Sequence, residues 1–478
     1  EALQSDVTAM TDKYADRGYL FADVMPVTDI RRADTMVDVG IEIVEGRQAF
    51  IRRIEITGNQ RTREKVIRRE LALVEGDVFS SARLQASRKN LENLGYFDEV
   101  KPDTRRVGAA DQVDVVVDLK EKATGAFTIG GGFSSVDGVI AMAGISQTNL
   151  FGEGKRAALS GQIGRHANRF NASYVDPHFL DSNYLYDLRG YAVQTRYHLN
   201  QGFNTDTIGT STGFGHHLVE AVFWQVHYGY ESVKIKDLSD NAPFLVRRQA
   251  DQNGGVSQTS SVTLSLFRDM RDSFTEPTNG SRVSLTAQYA GGFLGATNNF
   301  TKYTGDVSKY WPLWWRLVFH FRGNLAYGTP FDGTPSLPVQ ERFFLGGANN
   351  IRGFRNFTIS PKGQGPPIPQ PPGIPSPPTE GLIGGNLAWF SNWEMIFPLY
   401  DPVRLRGAFF FDAGQSYATD ESPWTFTDIF KQEIKRSAGV GIRFNSPLGA
   451  IRLDWGFNLH KLPGERFQVV HFSAGTSF

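Results

Sequence analysis

The sequence predicts a small soluble α+β segment followed by a large antiparallel β-barrel that spans a membrane. Charge is the first observation behind this fold class: residues 1–122 hold 43 of the 100 charged side chains but 7 of the 60 aromatic ones. The second observation is the alternation of apolar and polar residues that dominates after residue 123 and is typical of half-buried strands. The two segments therefore meet near Lys122.

The overall composition excludes several classes of protein. A chain of 478 residues is too long for one ordinary domain. Its 50 basic and 50 acidic side chains balance, so the net charge gives no indication of nucleic-acid binding. The absence of cysteine excludes disulfide bonds and thiolate metal sites. No signal peptide opens the chain at Glu1, so we expect a mature or truncated chain.

The first segment shows two successive units. Residues 2–17 predict a helix that ends at Gly18, and residues 37–43 alternate as a strand. The second unit has the order β-α-α-β-β, and Gly95 is expected to cap its second helix. Its elements are a strand over 50–56, helices over 63–73 and 81–94, and strands over 97–100 and 113–119.

The second segment reads as strands with one apolar and one polar face. Ile451, Leu453 and Trp455 alternate with Arg452 and Asp454, and the same pattern recurs over residues 262–266, 282–289 and 404–412. No stretch offers the roughly 20 apolar residues of a membrane helix. A soluble sandwich also alternates, but so long a run of strands without a covering helix exceeds one sandwich. A membrane barrel with an apolar outside and a polar lumen explains both features, and 356 residues suit about 14–18 strands.

Phrases in the first segment resemble a POTRA domain, the periplasmic module of the BamA-type outer-membrane assembly factors. They are IRRIEITGNQRTREKVIRREL, EGDVF and NLENLGYFDEV, in this order. Residues 47–122 resemble one complete POTRA domain, and residues 1–46 resemble the second half of another. The resemblance therefore implies a chain truncated at its N-terminus.

Phrases in the second segment resemble the barrel of the same family, in the family's order. They are TGAFTIGGG (124–132), NLFGEGK (149–155), RDSFTEPTNGSRVSL (271–285), FFLGGANNIRGF (343–354) and SAGVGIRFNSPLGAIRLDW (437–455). The resemblance implies that residues 123–478 form a barrel of about 16 strands. It also implies a long loop around residues 343–383 that folds back into the lumen.

Arg352 is the first candidate functional residue. By itself, an arginine in this stretch is more simply explained as a solvated loop residue. The resemblance implies instead that Arg352, with Gly353 and Phe354, enters the lumen and pairs with Glu394 and Asp412. A guanidinium group between two carboxylates would act as a structural latch with no part in catalysis.

The seam between the first and last barrel strands is the second candidate. Glycine weakens a strand, and four glycines occur on the first strand. We therefore expect this pairing to be the least stable one, and an opened seam would offer backbone groups to an incoming strand. The residues are Gly125, Gly130, Gly131 and Gly132 on the first strand, and Phe472, Gly475 and Phe478 on the last.

The resemblance implies a function and partners. It implies assembly and insertion of β-barrel proteins into the bacterial outer membrane. Because no part of the sequence resembles a nucleotide site, we expect the client's own folding free energy to drive insertion. Expected partners are outer-membrane lipids, unfolded β-barrel clients and periplasmic accessory lipoproteins, with no nucleic acid and no cofactor. Arg68 and Glu75 match positions that help to dock an accessory lipoprotein in BamA-type proteins, although a solvated helix face is the plainer interpretation.

Other functions are compatible with parts of the sequence. An enzyme is disfavoured because no HExxH, GxSxG or phosphate-loop motif is present. A diffusion porin needs neither a POTRA domain nor the IRGF phrase. A TamA-like translocation factor and a two-partner secretion pore stay open as closer alternatives. The proline-rich stretch 361–378 predicts an extended, polyproline-like part of the long loop, with a linker as the alternative.

Overall fold

The computed structural model of the chain describes residues 2–31, 36–108, 111–134, 137–196, 202–240, 242–367, 378–420, 433–446 and 449–475. The chain divides into two compact units. The first comprises Glu1–Ala126 and Ser146–Ala157, and the second comprises Phe127–Ile145 and Ala158–Phe478. Among the described residues, no helix combines the length and the hydropathy needed to cross a bilayer.

The first unit begins with a helix and a hairpin. Helix α1 (Ala2–Asp16) is followed by the antiparallel strands β1 (Asp23–Arg31) and β2 (Met36–Val44). Gly18 follows the helix with a φ of 94°, a conformation that costs glycine little. The helix and the second strand lie where the sequence predicts them.

A three-stranded sheet with two helices follows in the same unit. Its elements are β3 (Phe50–Thr57), α2 (Glu64–Arg68), α3 (Ser81–Leu94), β4 (Phe97–Arg106) and β5 (Gln112–Glu121). The sheet order is β3-β5-β4, with β3 parallel and β4 antiparallel to β5. Gly95 caps α3 in the left-handed conformation, as predicted. The apolar core includes the almost completely buried side chains of Ile51, Ile67, Phe79, Leu91 and Tyr96.

Helix α2 is shorter than its sequence suggests. The pattern predicts a helix over 63–73, whereas α2 ends at Arg68. Beyond this point the N–H of Ala72 donates to Ser87 Oγ on α3, at 2.8 Å, in place of a helical carbonyl. The chain leaves the helical path there, and Leu73 enters the core.

The second segment forms a closed antiparallel barrel of sixteen strands, which confirms the predicted fold class. Consecutive barrel strands are neighbours throughout, and the last strand returns to the first. The strands are β6 (Gly125–Ser134), β7 (Gly138–Leu150), β8 (Lys155–Gly164), β9 (Ala167–Asp176), β10 (Leu185–Arg196), β11 (Asn204–Val219), β12 (Val222–Lys236), β13 (Val256–Asp269), β14 (Gly280–Ala290), β15 (Phe300–Pro312), β16 (Val318–Pro330), β19 (Leu387–Tyr400), β20 (Leu405–Tyr417), β21 (Lys435–Ser446), β22 (Gly449–Asn458) and β23 (Gln468–Gly475).

The two faces of the barrel wall differ as the alternation predicts. On β22, Trp455 is 43% exposed on the outside while its neighbour Asp454 is fully buried. On β20, Phe411 is 38% exposed and Asp412 is fully buried. Apolar side chains therefore face outward, where lipid would lie, and charged ones point into the lumen.

Two long connections contribute further elements. Residues 237–255 carry helix α4 (Phe244–Asp251) between β12 and β13, and residues 331–386 connect β16 to β19. The second connection contains β17 (Lys362–Pro367) and β18 (Pro378–Leu382), which pair antiparallel. The described flanks of the proline-rich stretch are thus a hairpin, and the predicted polyproline-like form is wrong for them because their backbones pair. Residues 368–377 lie outside the described part.

Candidate functional site in the barrel lumen

Arg352 lies at the centre of a buried group of charges inside the barrel. The residue is 1% exposed. Its backbone N–H, Nε and Nη2 donate to the Asp412 carboxylate on β20 over 3.0, 2.7 and 2.6 Å. Its Nη1 donates to Glu394 Oε1 on β19 at 2.5 Å, and the Phe410 ring lies 3.6 Å from the guanidinium carbon. The long loop thus brings Arg352 to both carboxylates that the sequence analysis assigns to it.

Further charges extend this group. Arg443 on β21 donates through Nη2 to Glu394 Oε1 at 2.6 Å. Asp454 on β22 accepts from Arg452 Nε, and its Oδ1 lies 3.7 Å from Arg352 Nη1. Three guanidinium groups therefore face three carboxylates. The latch cluster, as we name it, comprises Arg352, Arg443, Arg452, Glu394, Asp412 and Asp454.

A histidine fixes the second oxygen of Glu394. His320 Nδ1 lies 3.0 Å from Glu394 Oε2, and its Nε2 lies 2.9 Å from Ser308 Oγ. An ionised carboxylate can only accept, so His320 donates to it from Nδ1. The Glu394 carboxylate is thereby held on both oxygens.

Gly353 allows the loop to lie directly on the barrel wall. Its φ is 83°, and a Cβ there would lie 3.0 Å from Ser437 Cβ and 3.1 Å from the carbonyl carbon of Gly456. A Cβ on Gly456 would in turn lie 2.4 Å from Gly353 N. Glycine on both sides lets the two backbones touch.

Two other contacts hold the loop. Phe354 is 4% exposed and packs in an apolar cluster that includes Ile351, Ile359 and Phe390. Earlier in the loop, the fully buried Arg342 side chain donates through Nη2 to Asp420 Oδ2 at 2.6 Å. It also donates to two backbone carbonyls, those of Leu337 and Gly384, at 2.9 and 3.0 Å.

The seam between β23 and β6 is the second part of the site. In the described part of the chain these strands pair at two positions, Ser473 with Ser134 and Ala474 with Phe133. By contrast, β22 and β23 pair over eight residues and β21 and β22 over ten. Phe472 contacts Phe133 across the seam, with ring centroids 5.9 Å apart.

The seam residues named from the sequence fall as follows. The four glycines lie on β6, and Gly475 is the last described residue of β23, opposite Ala450. Phe478 lies outside the described residues. Five ionisable residues that help to hold the loop in place were missed by the sequence analysis: His320, Arg342, Asp420, Arg443 and Asp454. His320, Arg443 and Asp454 could have been found from the sequence, because each is an ionisable residue at a strand position whose side chain points into the lumen.

Arg68 and Glu75 form an ion pair in the first unit. Arg68 Nη1 lies 3.4 Å from Glu75 Oε1, and both side chains are about half exposed, at 42% and 45%. The backbone of Ile54 fixes both, since its N–H donates to Glu75 and its carbonyl accepts from Arg68. The Ile54 N–H, and then the charge of Arg68, hold the pKa of Glu75 below its ordinary value.

Metal binding has no candidate among the described residues, where no group of three or more histidine or acidic side chains is suitably placed.

Family models match most of the chain. The model described as the Omp85 superfamily domain matches residues 149–478. The POTRA model, described as a surface antigen variable number repeat, matches residues 49–122.

Two relatives are outer membrane protein assembly factors named BamA. The protein of Nitratidesulfovibrio vulgaris is 29% identical over 463 residues, which cover 96% of this chain and 55% of that protein. The protein of Neisseria meningitidis is 27% identical over 504 aligned residues, covering 98% of this chain and 61% of that protein. The chain thus spans a little more than half the length of these relatives.

A crystal structure of BamA from Haemophilus ducreyi lacking POTRA domains 1–3 is similar in fold. The TM-score is 0.85 at 23% identity, with 100% of this chain and 93% of that chain covered. The family match over residues 149–478 agrees with the sixteen-stranded barrel. The chain therefore belongs to the Omp85 superfamily.

Proposed function

We propose that this protein assembles β-barrel proteins and inserts them into the bacterial outer membrane. The barrel then lies in that membrane, in contact with its lipids, and the N-terminal arm lies in the periplasm. The names of the BamA relatives support this function. The single observation that carries it is the seam: among the described residues, the first and last strands pair at only two positions, and such a barrel is suited to opening sideways.

The proposed mechanism uses the seam as a template. When β6 and β23 part, each exposes a row of backbone N–H and C=O groups that an extended client strand can pair with. Completion of the client's own strand pairing and burial of its apolar face drive its release, so no nucleotide hydrolysis or other catalysis is required. The proposed clients are unfolded β-barrel proteins.

In this function the latch cluster holds the wall beside the seam. Arg352 joins strands β19 and β20 directly, and Arg443 and Asp454 extend the cluster to β21 and β22. Strand β23 is the next neighbour of β22. Arg352, Gly353, Phe354, Glu394 and Asp412 therefore act as a structural latch that keeps four strands in register while the seam opens.

Arg68 and Glu75 are proposed to dock a periplasmic accessory lipoprotein. The support is their half-exposed, charged geometry, which the Ile54 backbone keeps rigid. A rigid exposed ion pair offers a donor and an acceptor at fixed positions, which favours specific recognition over affinity alone.

The test of the seam is a disulfide between the paired positions Ser134 and Ser473. Oxidised S134C/S473C protein, reconstituted in liposomes, should lose insertion of client barrels, and reduction should restore it. The matched control is S265C/T286C, whose parent hydroxyls lie 3.3 Å apart between β13 and β14, strands that pair over nine residues. Oxidised control protein should stay active. Full activity with the seam disulfide formed would rule out the template mechanism.

A further inference from the structure

The lumen contains a cavity bounded by arginine side chains at the end where β19 leads into β20. Its volume is about 260 Å³. Four guanidinium groups line it, from Arg404 and Arg406 on β20 and its preceding turn, Arg443 on β21, and Arg452 on β22. In the proposed function this is the periplasmic end of the barrel.

The register of the strands concentrates this charge. Arg443 and Arg452 are direct cross-strand partners, an arrangement in which like charges repel each other. Glu394 and Asp454 offset them, but these two carboxylates are shared with Arg352. The Nε of Arg443 is buried without a hydrogen-bond partner among the described residues. One buried guanidinium donor is therefore left over beside the latch cluster.

The turn between β13 and β14 already places one carboxylate at this cavity. Glu276 accepts from Arg406 Nη2 at 2.8 Å and lies 4.0 Å from Arg404 Nη1. The Glu276 side chain is 17% exposed, although it belongs to a surface turn. The cavity thus accommodates a carboxylate that arrives from outside the strands.

His320 and Glu394, which contact each other, also line the cavity, and the rest of its lining is largely apolar. Tyr310, Ile396, Phe444 and Ile451 form walls beside the guanidinium groups. A ligand that fits this lining carries an anionic group at the end of an apolar body. Arginine forks match the two oxygens of a carboxylate, so a carboxylate suits the site well.

We propose that this cavity receives the α-carboxylate of an incoming polypeptide whose last residue is apolar or aromatic. This inference rests on the proposed function and names the chain end that the site would take. A polypeptide is favoured over a lipid because the site opens to the lumen. The neighbours Ile442 and Leu453 are 43% and 40% exposed on the outer face, so the alternating Arg443 and Arg452 point inward. The cavity is also one strand from the seam, since Arg452 pairs with Ser473 of β23.

Binding proceeds by exchange of carboxylates. The arriving α-carboxylate takes the Arg406 and Arg404 donors, and Glu276 is displaced towards water. No covalent bond forms or breaks. Because Glu276 competes with the ligand, its removal should tighten binding.

The experiment uses the whole chain in detergent micelles and a fluorescent peptide with the sequence of residues 467–478, FQVVHFSAGTSF, ending in a free carboxylate or an amide. The peptide with the free carboxylate should bind about tenfold more tightly than the amide, which corresponds to a difference in binding free energy of about 1.4 kcal/mol. R404Q/R406Q should abolish this preference. R169Q is the matched control, because Arg169 likewise pairs with a carboxylate, that of Asp137, and is 32% exposed against 30% for Arg406.

The E276Q variant keeps the test independent of misfolding, since a damaged protein does not bind more tightly. We expect E276Q to raise the affinity for the free acid and to leave the amide unchanged. Equal affinities for acid and amide, or no gain in E276Q, would overturn the inference, as would displacement of the peptide by millimolar inorganic phosphate. Client insertion measured on the same samples separates this result from the proposed function: intact insertion without a carboxylate preference refutes the cavity inference alone.

Discussion

Two of the three carboxylates of the latch cluster lie near more than one guanidinium group. Glu394 contacts Arg352, Arg443 and His320, while Asp454 contacts Arg452 and lies within 4 Å of Arg352. Removal of the Arg352 guanidinium would leave Asp412 buried without a counter-charge, at a cost of roughly 3–5 kcal/mol. The cluster is therefore expected to hold or release the loop as a unit.

The contact between Gly353 and Gly456 gives a prediction at the residue scale. In G456A the new Cβ would meet backbone atoms of the loop at 2.4 Å, so the loop tip must move away from β22. We expect faster proteolysis of the loop around residues 343–360 and reduced client insertion. The matched control is G190A, on β10, where a Cβ has no neighbour within 4 Å. Equal protease resistance of G456A, G190A and the parent protein would show that the loop does not depend on this contact.

The turn between β13 and β14 is the element that carries Glu276 to the lumen, and Asp272 holds its shape. Asp272 accepts from the Thr278 hydroxyl and from the Thr278 N–H at 2.9 Å. Gly280 closes the turn with a φ of 104°, where a Cβ would lie 2.1 Å from the Met270 carbonyl oxygen. The bond from the Thr278 hydroxyl, with further backbone N–H groups, lowers the pKa of Asp272 to about 2.

A pH dependence follows at the element scale. The pKa of Asp272 is lower in the folded protein than the value of about 3.9 in an unfolded chain, so its carboxylate stabilises the fold above pH 4. This stabilisation is lost as pH falls through about 2. We predict that D272N lowers the melting temperature in detergent at pH 7 and that the difference from the parent shrinks between about pH 4 and pH 2.

The control for this prediction is D240N, which changes an exposed loop carboxylate that makes no hydrogen bond among the described residues. Its melting temperature should follow that of the parent protein at every pH. If the difference in melting temperature between D272N and the parent protein did not change with pH, the stabilisation would come from the shape of the side chain and not from its charge.

At the scale of the whole molecule, the barrel is closed unevenly. Strands β11 and β12 pair over fifteen residues, whereas β23 and β6 pair over two in the described part of the chain. Local opening requires least free energy where the fewest backbone hydrogen bonds and packed side chains must separate. We therefore expect the barrel to open at this seam before any other pair of strands.

Hydrogen exchange followed by mass spectrometry tests this expectation in nanodiscs. Peptides covering 127–134 and 468–475 should exchange faster than peptides covering 204–219 and 222–236. In antiparallel strands alternate amides point to opposite neighbours, so about half of the amides in β23 should remain protected by β22. Full protection of both seam peptides would contradict a weak seam.

Much of this architecture could be predicted from the sequence because it depends on local patterns. Alternation with a period of two assigns each side chain to a face of the wall, which is why Asp412 could be expected to point inward. The change in composition near Lys122 marks the end of the soluble segment. In the first unit, glycine after an amphipathic run marks the ends of α1 and α3. Local pattern also misleads, as at α2, where Ser87 from a distant helix replaces the helical partner of Ala72.

The sequence by itself determined the order of the two segments, the faces of the strands and the candidate arginine of the loop. Only the tertiary structure decided which charges meet. Arg443 and Asp454 approach Arg352 because strand register and barrel closure bring β19 to β22 side by side, and Gly456 matters because a loop backbone lies against it. Alternation determines which face of the wall a side chain occupies, but it does not determine which residue of the adjacent strand lies next to it. The neighbour, and the shortness of the seam, depend on how sixteen strands close on one another.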